Sequence, residues 1–178
     1  MDLSPLEKGR QQAFRLLSFR ARSEKELRDR LTEKHGGKVA EDVTRQMKEE
    51  GFQNDETFAR DRARQLALNH LEGNRAIEVD LGRKGIDRSV ITGAIQAVRE
   101  EFSEPEAIRK LIEKRGPPSA PSDRSWKEKT GRYLLSKGFP TGLIFEILNE
   151  SRLFIGIDDP VMHSSEFEEV VSEHDDGE

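Results

Sequence analysis

A two-helix pattern written three times into the chain leaves few folds open to it. The clearest copy covers Gly73–Phe102. Ile77 and Leu81 share one helical face, and Lys84-Gly85 ends that helix, because glycine takes the left-handed conformation past a helix end without steric cost. Asp87 is placed to cap the next helix, in which Val90, Ile91, Ala94, Ile95, Val98 and Phe102 recur at three- and four-residue steps. Such a stripe has to be buried against neighbours. Leu27, Leu31, Lys34 and Gly36 echo the first half upstream, and Val39, Val43 and Met47 the second; downstream, Leu134, Lys137-Gly138, Ile144 and Ile147-Leu148 repeat it. The marker lysines, Lys34, Lys84 and Lys137, lie 50 and 53 residues apart. That interval exceeds the two-helix repeats of common solenoids and leaves room for a third helix in each copy. The expected fold is all-α, three tandem three-helix repeats covering 1–53, 54–103 and 104–150, followed by an acidic tail over 151–178.

Helix boundaries follow from local chemistry. Ser4-Pro5 starts a helix that runs to Phe19, since proline at the first helical position gives up an N–H that would be unsatisfied anyway. Ser23 and Glu26 form a capping box for a helix over Ser23–His35, closed by Gly36-Gly37; the next runs from Val39 to Glu50. Asn54-Asp55 opens a fourth helix whose inner face is Phe58, Ala59, Ala63, Leu66, Ala67 and His70. Gly73-Asn74 opens the central pair, and Ser103-Glu104-Pro105 begins the seventh helix. Three prolines exclude helix from Gly116 to Ser122. Two further helices are expected over 123–137 and 141–149. From Ser151 the helical period fades, and after Asp159-Pro160 low hydrophobicity and high charge predict disorder, with Leu153-Phe154-Ile155 docking on the last unit.

Only 33% of the 178 residues are hydrophobic and 37% are charged, which suits an elongated array of small units better than one compact globule. The formal charge of −5 hides an asymmetry: residues 151–178 hold nine carboxylates against Arg152 alone, a net of −8, and the remaining 150 carry +3. Absence of cysteine excludes disulfides, thiolate metal sites and cysteine nucleophiles. No apolar run approaches the ~20 residues needed to cross a bilayer. The N-terminal stretch lacks the basic-then-apolar order of a secretion signal. A soluble, cytoplasmic monomer is expected, with no membrane contact.

Catalytic signatures are missing where they would be easiest to see: no phosphate-cradling glycine loop with Lys-Ser/Thr, no His-Glu-x-x-His, no nucleophile elbow. His35, His70, His163 and His174 lack ligand spacing; His35 reads as a helix-end cation and His70 as a packing residue. Glu78 and Asp80, like Glu49 and Glu50, read as solvated carboxylates or partners of arginine at i,i+4. No enzyme activity, cofactor or metal is expected.

Ala13-x-x-Leu16-Leu17-x-x-Arg20-x-Arg22-Ser23-x-x-Glu26-Leu27-x-x-Arg30-Leu31 resembles the opening of the RecX family of RecA regulators. The turn Gly51-Phe52-Gln53-Asn54-Asp55-Glu56-Thr57-Phe58-Ala59 is similar to the family's junction between its first two units. Gly73-Asn74-Arg75-Ala76-Ile77 with Asp80-Leu81-Gly82-Arg83-Lys84-Gly85-Ile86 is similar to its central signature. The resemblance covers about residues 10–150. It implies three tandem three-helix repeats in an elongated, curved array that binds the RecA filament and restrains its polymerisation, ATP hydrolysis and strand exchange. Gly82, inside a helix, and the proline-rich loop depart from the pattern.

Basic residues are the best lead to a site. Arg15, Arg22 and Arg28 lie near the first helix junction, Arg60 and Arg64 on the fourth helix, and Arg75, Arg83, Lys84 and Arg88 around the central pair. On a helical wheel Arg75 and Arg83 fall opposite Ile77 and Leu81, free to meet carboxylates or phosphates. Against this stands an ordinary charged surface, since Glu24, Glu26, Asp29 and Asp61 are interleaved. Two functions remain: a modulator lying along the RecA filament, its basic face also meeting DNA inside the filament, or a nucleic-acid-binding module held by phosphate contacts. A net of +3 and the lack of an aromatic stacking platform favour the modulator.

Overall fold

The structure, a computed structural model, describes residues 3–116 and 124–150. Within them the chain forms nine α-helices and no strand: α1 (Pro5–Phe19), α2 (Glu24–His35), α3 (Gly37–Glu49), α4 (Asp55–Arg64), α5 (Asn74–Arg83), α6 (Arg88–Glu101), α7 (Glu104–Arg115), α8 (Arg124–Ser136) and α9 (Thr141–Leu148). Most of the proline-rich loop and the whole acidic tail, including the docking expected of Leu153–Ile155, lie outside the described residues.

The helices gather in threes. Helices α1–α3 pack around Leu27, Leu31, Val43 and Met47; α4–α6 around Phe58, Ile77, Leu81, Ile91 and Ile95; α7–α9 around Ile108, Leu111, Leu134, Ile144 and Ile147. Leu27, Leu31, Ile77, Leu81, Ile108 and Leu134 are fully buried, each contributing ~1.5–3 kcal/mol of transfer free energy. A core with so few large anchors is small, and a unit built on it leans on its neighbours.

Helix starts follow the sequence signals. Ser4 with Glu7, Ser23 with Glu26 and Ser103 with Glu106 make reciprocal capping boxes. Asn54 Oδ1 accepts from the N–H groups of Glu56 and Thr57. Asp87 occupies the N-cap of α6, but its side chain accepts no capping hydrogen bond. Helix α3 begins at Gly37, ahead of the expected Val39, because Gly36 alone serves as C-cap of α2 and N-cap of α3.

Two features depart further from the sequence reading. A π-helical turn, Gln65–Asn69, prolongs α4. It divides the apolar residues at that end: Leu66 and Ala67 stay in the second core, while Leu68 and Leu71 pack in the third. Leu71 takes a φ of +52°, a conformation costing about 1–3 kcal/mol that its burial offsets. His70, expected on the inner face, is exposed, since the wider turn carries it off the apolar stripe. Phe102 likewise leaves the stripe of α6 for the third core.

Two of the three lysines that mark the sequence repeat, Lys84 and Lys137, are joints between units, while Lys34 is exposed at the end of α2. The Lys84 carbonyl accepts from Ser23 Oγ at 2.7 Å, and its ammonium meets Glu26 at 2.9 Å, seating the α5–α6 turn on the start of α2. One unit on, the Lys137 carbonyl accepts from the Gly73 N–H at 2.8 Å, and its ammonium meets Glu72 at 3.0 Å. Backbones approach so closely there that a Cβ on Gly138 would stand 2.5 Å from the Ala76 nitrogen. Around the first joint Glu24 N–H donates to Asp55 at 2.8 Å, as does Gln53 Nε2 at 2.7 Å. Around the second, Arg99 donates to Asn74 Oδ1 at 2.6 Å and to the Glu72 carbonyl at 2.7 Å.

Candidate protein-interaction surface

Helix α5 turns Ile77 and Leu81 inward, so the helical period sends Arg75, Val79 and Arg83 outward at four-residue steps. All three are exposed and line a groove whose far wall is Leu135, Ser136 and Gly138 of the third unit. Val79 and Leu135 are 45% and 47% exposed, which gives the groove an apolar floor in water. Two carboxylates also line it, and both are engaged. Asp80 takes both arms of the Arg62 guanidinium, at 2.8 and 3.0 Å, and Glu72 holds Lys137. The Arg62 hydrogen bonds keep the Asp80 carboxyl below the usual aspartate range, and Asp80 raises the guanidinium in turn. Arg75 and Arg83 make no ion pair among the described residues, although Arg10, Arg20, Arg28, Arg45, Arg62, Arg64 and Arg109 all do.

The remaining basic residues singled out in the sequence divide into two groups. Arg15, Arg60 and Arg88 are exposed on α1, α4 and α6 and make no ion pair among the described residues. Arg22, Arg28, Arg64 and Lys84 are committed within the fold. Arg22 is half-buried with Nε donating to the Leu16 carbonyl at 3.3 Å, and burial pulls its guanidinium below the ordinary arginine value. Arg28 meets Glu24 at 3.4 Å, and Arg64 grips Glu101 with two bonds of 2.9 and 2.6 Å. Lys84 closes the first joint through Glu26, whose carboxyl is held down at about 2: burial opposes the charge, but hydrogen bonds from Arg20 and Lys84 outweigh it. The nine residues therefore do not form one patch; the groove collects Arg75 and Arg83.

Leu135 and Val79 are the contributors that sequence reasoning missed. For Val79 the signal was available, because an apolar residue midway between two outward arginines must itself point outward. For Leu135 there was none, since only the joint brings α8 beside α5. Asp80, expected to be solvated or paired at i,i+4, instead finds Arg62 eighteen positions away. Among the described residues no group of three or more histidine and carboxylate side chains comes together to hold a metal, and no helix is long and apolar enough to cross a membrane. His35 stands in the last turn of α2 with Nε2 buried and unpartnered among the described residues.

Fold and surface together define a class: tandem three-helix-repeat proteins whose accessible chemistry lies on outward helix faces and in the grooves between units. Three family models match in series, the first, third and second three-helix domains of RecX, over residues 10–46, 103–148 and 54–95 respectively. The regulatory protein RecX of Syntrophotalea carbinolica is 35% identical over 144 residues, covering 79% of this chain and 94% of that protein. The regulatory protein RecX of Mycolicibacterium vanbaalenii is 30% identical over 150 residues, covering 80% and 81%. A crystal structure of RecX from Lactobacillus salivarius superposes with a TM-score of 0.70 at 24% identity, covering 84% of this chain and 97% of the other. The chain belongs to the RecX family of regulatory proteins.

Proposed function

We propose that the chain binds the RecA nucleoprotein filament in the cytoplasm and inhibits its polymerisation, ATP hydrolysis and strand exchange, acting as a monomer without catalysis of its own. The observation that carries this reading is the groove beside α5, where two guanidiniums without carboxylate partners among the described residues flank exposed Val79 while both acids that line the groove are already engaged. Arginine forks suit carboxylates on a protein and the phosphates of DNA held within a filament. Three units in series can touch several protomers of a helical polymer, so modest contacts add through effective concentration. A module held on bare DNA by phosphates alone fits less well, because four of the nine candidate cations are committed to the fold.

DNA-dependent ATP hydrolysis by the cognate RecA tests the reading. The parent is expected to suppress it at substoichiometric ratios, and to co-sediment with filaments at a salt concentration where it leaves bare single-stranded DNA unbound. The double variant Arg75→Glu/Arg83→Glu is expected to keep its helical circular dichroism and to inhibit about tenfold less, equivalent to ~1.4 kcal/mol of binding. Equal inhibition by a folded double variant would place the contact elsewhere. A parent without effect at any ratio would end the RecA reading.

A further inference from the structure

The groove beside α5 has a pattern that a distant part of the same chain complements. Arg75 and Arg83 stand eight residues apart, about 12 Å along the helix axis, with Val79 between them and Leu135 opposite. The carboxylates lining the groove are held by Arg62 and Lys137, and the two arginines make no ion pair among the described residues. Beyond Glu150 the sequence places Glu166, Glu168 and Glu169 around Phe167, followed by Val170-Val171. Glu166 and Glu169 stand at most about 10 Å apart along the backbone, a distance that long glutamate and arginine side chains extend to the separation of the arginines, and the same stretch supplies apolar side chains for the floor.

We infer that residues 166–171 occupy the Arg75–Val79–Arg83 groove, with glutamates on the two guanidiniums and Phe167 and the valines on Val79 and Leu135. The inference rests on reading this groove as the partner-binding face, and adds that the chain's own tail competes for it. Position supports it. The far wall of the groove belongs to the third unit, from which the tail departs at Glu150, a residue fixed by Arg109 at 3.1 Å. Residues 151–165 can reach about 50 Å when fully extended. Charge supports it as well: the tail carries −8 and the rest of the chain +3. A covalently attached competitor acts at an effective concentration in the millimolar range, so weak contacts suffice. A bare phosphate backbone would find the two arginines but gain nothing from the apolar floor.

The natural absence of cysteine allows a direct test in the full-length chain. Nitroxide labels at Glu78→Cys, exposed on α5 beside the groove, and at Ser165→Cys report the distance from tail to groove by pulsed electron paramagnetic resonance. At low salt a short-distance population is expected. It should be lost in Glu166→Gln/Glu168→Gln/Glu169→Gln and in Arg75→Glu/Arg83→Glu, and regained when the arginine reversal is combined with lysine at 166, 168 and 169. High salt should deplete it. Absence of the short distance in the parent at low salt, or its persistence after the glutamates are neutralised, overturns the inference. No RecA is present in this measurement, so its failure leaves the proposed function standing, and failure of the RecA assay leaves the contact itself in place.

Discussion

Glu26 carries two duties at one carboxylate. It completes the capping box of α2 through the Ser23 N–H, and it takes Arg20 at 3.2 Å and Lys84 at 2.9 Å, so one residue closes a helix start and the first joint together. Its pKa is lowered to about 2. A group whose folded pKa lies below its unfolded value stabilises the fold above the ordinary glutamate range, and that contribution disappears as pH falls through the folded pKa. Glutamine can keep the cap but not the ion pairs. Glu26→Gln is therefore expected to destabilise the chain at pH 7 by about 1–3 kcal/mol, and the gap between variant and parent should narrow between pH 4.5 and 2. Denaturant titrations followed by circular dichroism at several pH values check this. A gap independent of pH would assign the loss to the cap.

Among the elements, α5 carries a residue that works against its own helix. Gly82 lies within the helix on its exposed side, and a Cβ there would meet nothing within 4 Å. Gly82→Ala is expected to stabilise by up to ~1 kcal/mol, read as a higher melting temperature with unchanged helical content. A lower melting temperature would mean that the glycine answers to a packing demand this structure lacks. The starts of α1, α2, α4 and α7 are legible from sequence because capping is local: Ser4, Ser23, Asn54 and Ser103 need only their neighbours two or three residues on. The π turn after α4, the transfer of Phe102 to the third core and the choice of Arg62 by Asp80 are set by packing between residues far apart in the chain. The candidate site divides in the same way. Outward projection of Arg75 and Arg83 follows from the helical period, whereas the arrival of Leu135 does not. Lys84 illustrates the difference, since in sequence it stands among the candidate binding cations and is here only 21% exposed against Glu26.

At the scale of the whole molecule, the relative placement of the last two units rests on Gly138. Its φ of +86° already disfavours a side chain, and Ala76 leaves no space for one. Gly51 has a similar φ of +76° and the same hydrogen-bond pattern at its helix end, Phe52 N–H to the Met47 carbonyl as Phe139 N–H to the Leu134 carbonyl, but open space around it, so Gly51→Ala isolates the conformational cost, about 1–2 kcal/mol. Gly138→Ala is expected to cost more, with an added ~1–3 kcal/mol of overpacking, and to increase the radius of gyration in small-angle scattering as the joint opens. Equal effects of the two substitutions would show that the contact yields without strain.

The two joints are built from different materials, and the difference predisposes the molecule to come apart at one end. Around the first, the contacts between units are chiefly hydrogen bonds and ion pairs: Ser23 with Lys84, Glu26 with Lys84, Glu24 with Asp55. Across the second, Leu71 and Phe102 from the middle unit are members of the third unit's core. Cutting the chain at 103 would thus remove two residues from a core that needs them, and the last six helices should melt as one cooperative block. Amides of α1–α3 are free to exchange with solvent through an opening that leaves that block intact, and salt, which weakens charges and not apolar burial, should speed their exchange alone. A protein laid along a polymer would then keep a stiff body and an N-terminal arm able to swing, and the arm is the part that could follow changes in the polymer's pitch.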